Sequence, residues 1–208
     1  MHVISKYGFL YDICGWFSVK VYIIDNGGQW THREWRVLRD MADAKIVRND
    51  TPPEDLADAD ALVLSGGSPS VASDAGRMGR NSDYLEMDVP IFGICAGMQF
   101  LSEHFGGSLA PGDDPEYGAV ELVITSHDDI FRGMPDTIEV WASHNDEVKT
   151  VPDGFDVTAS SVRCKVEAVK CRDRPIFGVQ FHPEVENTQY GPEMFRNFLE
   201  IASRYRNG

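Results

Sequence analysis

Apolar positions along this chain fall into short dense runs, separated by stretches in which they recur every three or four residues. The runs predict strands at Val19–Ile24, Ala61–Leu64 and Ile91–Ile94, then at Ala119–Ile124, Ile138–Trp141, Val166–Val169 and Ile176–Phe181. The helical period predicts helices at Thr31–Met41, Ser82–Met87, Met98–Phe105 and Pro192–Tyr205. Thr31 is the expected N-cap of the first, and Gly106-Gly107 should end the third. Strands alternating with helices indicate an α/β protein. Strand signals are denser between Gly106 and Ser161 than in the first hundred residues. The expected architecture is therefore a largely parallel central sheet with flanking helices and some antiparallel strands in the C-terminal half. No repeat or low-complexity linker divides the chain, and 208 residues suffice for one domain with a full core.

Charge narrows the choice of partners. Thirty-three acidic residues face nineteen basic ones, of which thirteen are Arg and six Lys. The acids lie in short scattered clusters such as Glu54-Asp55, Asp113-Asp114 and Asp128-Asp129. Such a balance repels phosphate backbones and anionic lipid, so neither nucleic acid nor membrane is expected as a partner. An Asp-rich, Lys-poor surface also resembles that of proteins adapted to a salt-rich cytoplasm; the plainer reading is an ordinary acidic surface. No apolar run approaches the ~20 residues of a membrane span. The N-terminus lacks the basic start, apolar stretch and cleavage site of a signal peptide. Cys14, Cys95, Cys164 and Cys171 are too few and too irregularly spaced for a disulfide framework or a local zinc motif. A reduced, cytoplasmic setting is expected, with no metal and no cofactor in this chain.

The chemistry concentrates in three segments. In Ile91-Phe92-Gly93-Ile94-Cys95-Ala96-Gly97-Met98-Gln99, a buried strand runs through Gly-x-Cys-x-Gly directly into a helix. This is a nucleophile elbow with Cys in place of Ser: the turn leaves no room for side chains on its flanks. The helix N-terminus points its positive end at the sulfur, which favours the thiolate. Taken alone, the segment also fits an inert cysteine on a core strand. The second segment, Gly178-Val179-Gln180-Phe181-His182-Pro183-Glu184, reads as a strand ending in His-Pro-Glu. Residues two apart in an extended chain share a face, and Pro183 holds His182 extended. His182 can then take the Cys95 proton while Glu184 orients the ring, the logic of a catalytic triad. The third is Leu64-Ser65-Gly66-Gly67-Ser68-Pro69. Paired glycines after a buried strand can turn backbone N–H groups, with that of Ala96, toward an oxyanion; an ordinary Gly-rich turn reads the same way. The phosphate loop of ATP pyrophosphatases is Ser-Gly-Gly-x-Asp-Ser, but Pro69 stands where its Asp is needed.

Together, the Gly-Gly turn, the elbow and His-Pro-Glu, in that chain order, resemble the class I (triad) glutamine amidotransferases, from Val19 onward. Ile24-Asp25-Asn26-Gly27-Gly28-Gln29-Trp30, the elbow and Ala142-Ser143-His144-Asn145-Asp146-Glu147-Val148 resemble, more narrowly, the glutaminase subunit of archaeal-type two-subunit GMP synthases. Met98 stands where anthranilate synthase subunits more usually carry His, and Ser68 displaces by one position the proline of the family's Ser-Gly-Gly-Pro. The resemblance implies L-glutamine as substrate and Cys95, His182 and Glu184 as catalytic residues. It implies an oxyanion hole of the Gly67 and Ala96 backbone, and contacts to the glutamine's amino-acid end from Gly66, Gln99, Ser143, His144 and Asn145. It further implies a partner, an ATP-pyrophosphatase (synthetase) subunit, which would hold the ATP and Mg and convert XMP to GMP. Glutaminase subunits for anthranilate or aminodeoxychorismate, or a stand-alone γ-glutamyl peptidase, are the alternatives. The Asp25–Gln29 loop reads as a structural or interface loop, and Trp30 and Trp35 as packing residues.

Met1–Ser18 lies outside the resemblance. It holds one acid, Asp12, and five aromatics, against thirty-two acids in the rest. The expectation is a translation start at Val19 with a catalytically irrelevant extension before it; the alternative is an N-terminal arm packed on the sheet edge or a partner.

Overall fold

The computed structural model describes residues 2–4, 10–12, 19–67 and 78–207. In chain order these form β1 (His2–Ile4), β2 (Leu10–Asp12), β3 (Lys20–Asn26), α1 (Thr31–Leu38), β4 (Asp43–Arg48), β5 (Ala61–Gly67), α2 (Asn81–Leu85) and β6 (Ile91–Ile94). There follow α3 (Ala96–His104), β7 (Ser108–Ile124), β8 (Thr137–Thr150), β9 (Phe155–Ser160), β10 (Ala168–Cys171), β11 (Ile176–Val179) and α4 (Gly191–Asn207). Among the described residues, β1 and β2 form a separate two-stranded sheet. The expectations about the translation start and the packing of Met1–Ser18 otherwise fall outside the described residues, as do Ser68 and Pro69.

The nine remaining strands make one sheet in the order β4-β3-β5-β6-β11-β10-β9-β7-β8. The five from β4 to β11 are mutually parallel, and every pairing beyond β11 is antiparallel. The sheet is therefore mixed, with a larger antiparallel share than the apolar runs suggest. The parallel strands are in tight register: Leu64 lies opposite Gly93 and Ile94 opposite Val179. Their carboxyl ends thus come level, and open α/β sheets gather functional loops beyond such ends.

Alternation along β3 builds a core on each face. Val21 and Ile23 join Phe92, Phe195 and Phe198 on the side covered by α1 and α4, whereas Tyr22 and Ile24 join Leu62, Leu64, Met98 and Leu101 beneath α3. Phe92 meets Phe195 edge-on at 5.7 Å and Phe198 at 5.4 Å. The end of α3 follows the glycine signal: Gly106 has φ +96, its N–H donates to Glu103 O, and that of Gly107 donates to Ser102 O. This 5→2 and 6→1 pair closes a helix C-terminus.

Four expectations need correction. Thr31 is not the N-cap of α1; that position is Trp30, without a side-chain cap. The Thr31 hydroxyl is instead buried between Asp25 Oδ1 at 3.0 Å and Ser65 Oγ at 3.3 Å. β4 and β9 do not show in the apolar pattern, because the exposed residues of Asp-Ala-Lys-Ile-Val-Arg and Phe-Asp-Val-Thr-Ala-Ser dilute any apolar run. β7 and β8 extend far beyond their predicted cores, with a register shift between Pro111 and Glu116 that absorbs the polar, Gly-containing stretch. Finally, β11 stops at Val179, and His182 lies in the turn that follows. Among the described residues no helix is long and apolar enough to cross a membrane.

Candidate active site

The elbow is built by close approach. Cys95 follows β6 and caps α3 with φ 50 and ψ −107, a conformation that costs a non-glycine residue of order 1–3 kcal/mol and projects its side chain beyond the strand. A Cβ on Gly97 would stand 2.2 Å from Leu64 O, and one on Gly93 would stand 2.5 Å from Leu101 Cδ2. Only hydrogens fit at either flank of the nucleophile. Gly97→Ala is therefore expected to destabilise the fold by about 3 kcal/mol, as overpacking against backbone does; urea unfolding measures it, and a loss below about 0.5 kcal/mol would show that α3 can shift away.

The structure brings the predicted triad into one cavity of about 240 Å³. His182 Nδ1 lies 2.7 Å from Glu184 Oε1, with both side chains buried. The main chain fixes this turn: His182 N–H donates to Trp141 O, and the Thr188 hydroxyl donates to His182 O at 2.6 Å. Burial disfavours a charged His182 ring, but its interactions with the Cys95 sulfur on one side and Glu184 on the other outweigh it, and its pKa is pushed up to about 10. His182 is thus held as an imidazolium facing the sulfur. Gly66 fits against this pair: a Cβ there would stand 3.3 Å from His182 Cε1 and 3.7 Å from Cys95 Cβ. Gly66 and Gly67 both border the cavity. Ala96 is the first residue of α3, so its N–H has no partner within the helix.

The substrate contacts implied by the resemblance divide. Ser143 borders the cavity with Gly66, but Gln99, His144 and Asn145 do not. Gln99 is buried behind the elbow, its amide donating to Asp146 O at 2.8 Å and to Gln180 Oε1 at 3.1 Å. Gln180 in turn points its own amide at Cys95 Sγ, 3.6 Å away. Gln99 therefore links the β8 backbone to Gln180 behind the elbow. His144 turns its ring toward Glu116, at 3.2 Å, and Asn145 is exposed with its amide on Asp146 Oδ1. Ser143–Asn145 belongs to β8, so the side of this stretch that can meet a substrate is Ser143 and the backbone beside it.

Sequence reasoning missed the opposite wall. Gly28, Gln29, Trp30, Thr31 and Glu34 line the cavity, so the loop after β3 is part of the site. Trp30 meets the His182 ring edge-on at 4.2 Å. Glu34 is 1% exposed, one of its oxygens has no hydrogen-bond partner, and burial together with the nearby Glu184 pushes its carboxyl well above the usual range. A signal for it existed: Glu34 shares the buried face of α1 with Thr31 and Leu38, where a lone acid is out of place.

A cysteine at a strained elbow, a buried imidazolium beside it and a carboxylate behind that ring define a cysteine hydrolase site of the amide-transfer kind. Residues 22–202 match the glutamine amidotransferase class-I family, and the chain belongs to it. Among its relatives, a glutamine-hydrolyzing GMP synthase subunit from Thermoplasma acidophilum is 47% identical over 190 residues, covering 90% of this chain and 95% of the relative. The protein of the same name from Haloquadratum walsbyi is 50% identical over 181 residues, covering 85% and 95%. A solved Thermoplasma acidophilum structure superimposes with a TM-score of 0.87 at 46% identity, covering 91% of this chain and 96% of that one. A Thermotoga maritima glutamine amidotransferase, 20% identical, shares the fold with a TM-score of 0.68 over 88% of this chain and 81% of its own.

Proposed function

We propose that this chain hydrolyses glutamine to glutamate and ammonia, and passes the ammonia to a separate ATP-dependent synthetase subunit that converts XMP to GMP. The observation that carries the hydrolysis is the Cys95–His182–Glu184 arrangement in a cavity; the choice of acceptor rests on the GMP synthase relatives. The Cys95 thiolate attacks the side-chain amide carbon of glutamine. Backbone N–H groups near Gly67 and Ala96 receive the oxyanion. The His182 imidazolium gives its proton to the departing ammonia, leaving a γ-glutamyl thioester, and the neutral ring then takes a proton from water as that water attacks the ester. Glu184 orients the ring throughout. ATP and Mg belong to the partner subunit.

An uncontrolled glutaminase drains its substrate, so the free chain is expected to turn over glutamine at least about tenfold more slowly than the chain bound to a synthetase loaded with XMP and ATP, within the usual range of coupling between sites. The lever is the β8 stretch Ser143–Asp146, whose first residue borders the cavity. Ammonia release by the chain alone, with the synthetase, and with synthetase and nucleotides decides it. GMP formation from glutamine in the last mixture tests the function itself. Equal turnover in all three removes the regulation, and the absence of GMP removes the acceptor.

A further inference from the structure

Behind the nucleophile lies a second cluster of chemistry-bearing side chains that the hydrolysis does not use. Glu116 from β7, His144 from β8, and Cys164 and Glu167 from the connection between β9 and β10 are all buried. Each offers one donor atom, and these four atoms lie within 4.8 Å of one another. His144 Nε2 stands 3.2 Å from Glu116 Oε2 and 3.9 Å from Glu167 Oε1. A tetrahedral ion with donors about 2.0–2.3 Å away separates those donors by about 3.5 Å, and the two distances bracket that value.

The charges are otherwise unbalanced. Glu167 is 0% exposed, and neither of its carboxylate oxygens has a hydrogen-bond partner. Glu116 accepts from the Ser161 hydroxyl at 2.6 Å. Among the described residues no lysine or arginine forms an ion pair with either acid; the basic group paired with them is His144. Two buried carboxyls, an imidazole and a thiol without a lysine or arginine partner cost free energy unless a cation or a shared proton joins them. The mixed set of sulfur, nitrogen and carboxylate oxygen is that of a borderline-soft ion.

We propose that Glu116, His144, Cys164 and Glu167 hold one divalent ion of the zinc class. On binding, the Cys164 thiol releases its proton to solvent, as does any carboxyl of the set that carries one. The ion ties β7, β8 and the β9–β10 connection together where they back the catalytic cavity. Ser143 precedes His144, and the Gln180 N–H donates to Glu167 O while its side chain faces Cys95. The ion has a structural place, holding the β8 wall and Gln180, and no part in bond cleavage.

The test uses the full chain carrying Cys95→Ala, which removes the active-site thiol as a competing ligand. After loading with cobalt(II) or zinc(II) and desalting, one ion per chain is expected, with a thiolate-to-cobalt charge-transfer band. Adding Cys164→Ser should abolish the band and weaken binding at least about 100-fold. Glu167→Gln, nearly isosteric, should keep the band and weaken binding at least about tenfold, and it carries the test if the serine variant does not fold. Zinc should raise the thermal midpoint of the Cys95→Ala chain and leave that of the Cys164→Ser variant unchanged. Failure to retain an ion in the Cys95→Ala background, or equal retention after Cys164→Ser, overturns the site. A proton shared between Glu116 and Glu167 would then be what joins the two acids.

Discussion

Replacing Cys95 with alanine is expected to lower glutamine hydrolysis at least about 10⁴-fold while leaving the fold intact. The magnitude follows from losing the nucleophile: without sulfur there is no covalent intermediate, and the rest of the site can only bind and polarise substrate. The fold survives because alanine lacks only the sulfur, at a position whose strain lies in the backbone. The variant should still support GMP formation from added ammonia when mixed with the synthetase. A glutamine-like electrophile should label Cys95 and spare Cys164, which is fully buried. Residual glutaminase within about tenfold of the wild type would remove Cys95 from the mechanism.

Glu184→Gln is expected to lower kcat about 10³-fold, because the carboxylate both fixes the ring and stabilises its charged form. The pH dependence separates these roles from simple unfolding. The folded pKa of His182, about 10, lies above its ordinary value near 6.5. The stabilisation from the charged pair is therefore complete below about pH 6.5 and is lost as pH rises through about 10. Hydrolysis should show an alkaline limb near pH 10, where the ring no longer carries the proton destined for ammonia. Glu184→Gln removes one of the interactions raising that pKa, so the limb should move to lower pH. An unchanged limb in a folded variant would show that another group titrates there.

The cysteine elbow and His-Pro-Glu were legible because their chemistry is written in neighbours. Gly-x-Cys-x-Gly names its own turn: the close approaches of Gly93 and Gly97 leave no alternative residue, whatever the rest of the chain does. His182 and Glu184, two positions apart, meet at 2.7 Å, although the turn that joins them replaces the expected extended strand. Strands β3, β5 and β6 were legible for a similar reason, since burial on both faces makes each a continuous apolar run.

What lay beyond the sequence was every contact set by the register of distant strands. The resemblance gives Gln99 to the glutamine's amino-acid end, yet its amide is taken by Asp146 and Gln180, which reach it only because β8 and the segment after β11 pass behind α3. Glu34 and Trp30 join the triad because α1 docks beside the turn after β11, an approach that no spacing along the chain encodes. The quartet of Glu116, His144, Cys164 and Glu167 escaped local cysteine spacing altogether, since its ligands come from three separate segments. The sequence by itself determined the two short motifs and the strands that carry them, because their steric demands are local. The tertiary structure decided which walls close the cavity, which polar side chains are diverted from it and which buried charges meet behind it. Those outcomes depend on how the strands are ordered and aligned across the sheet.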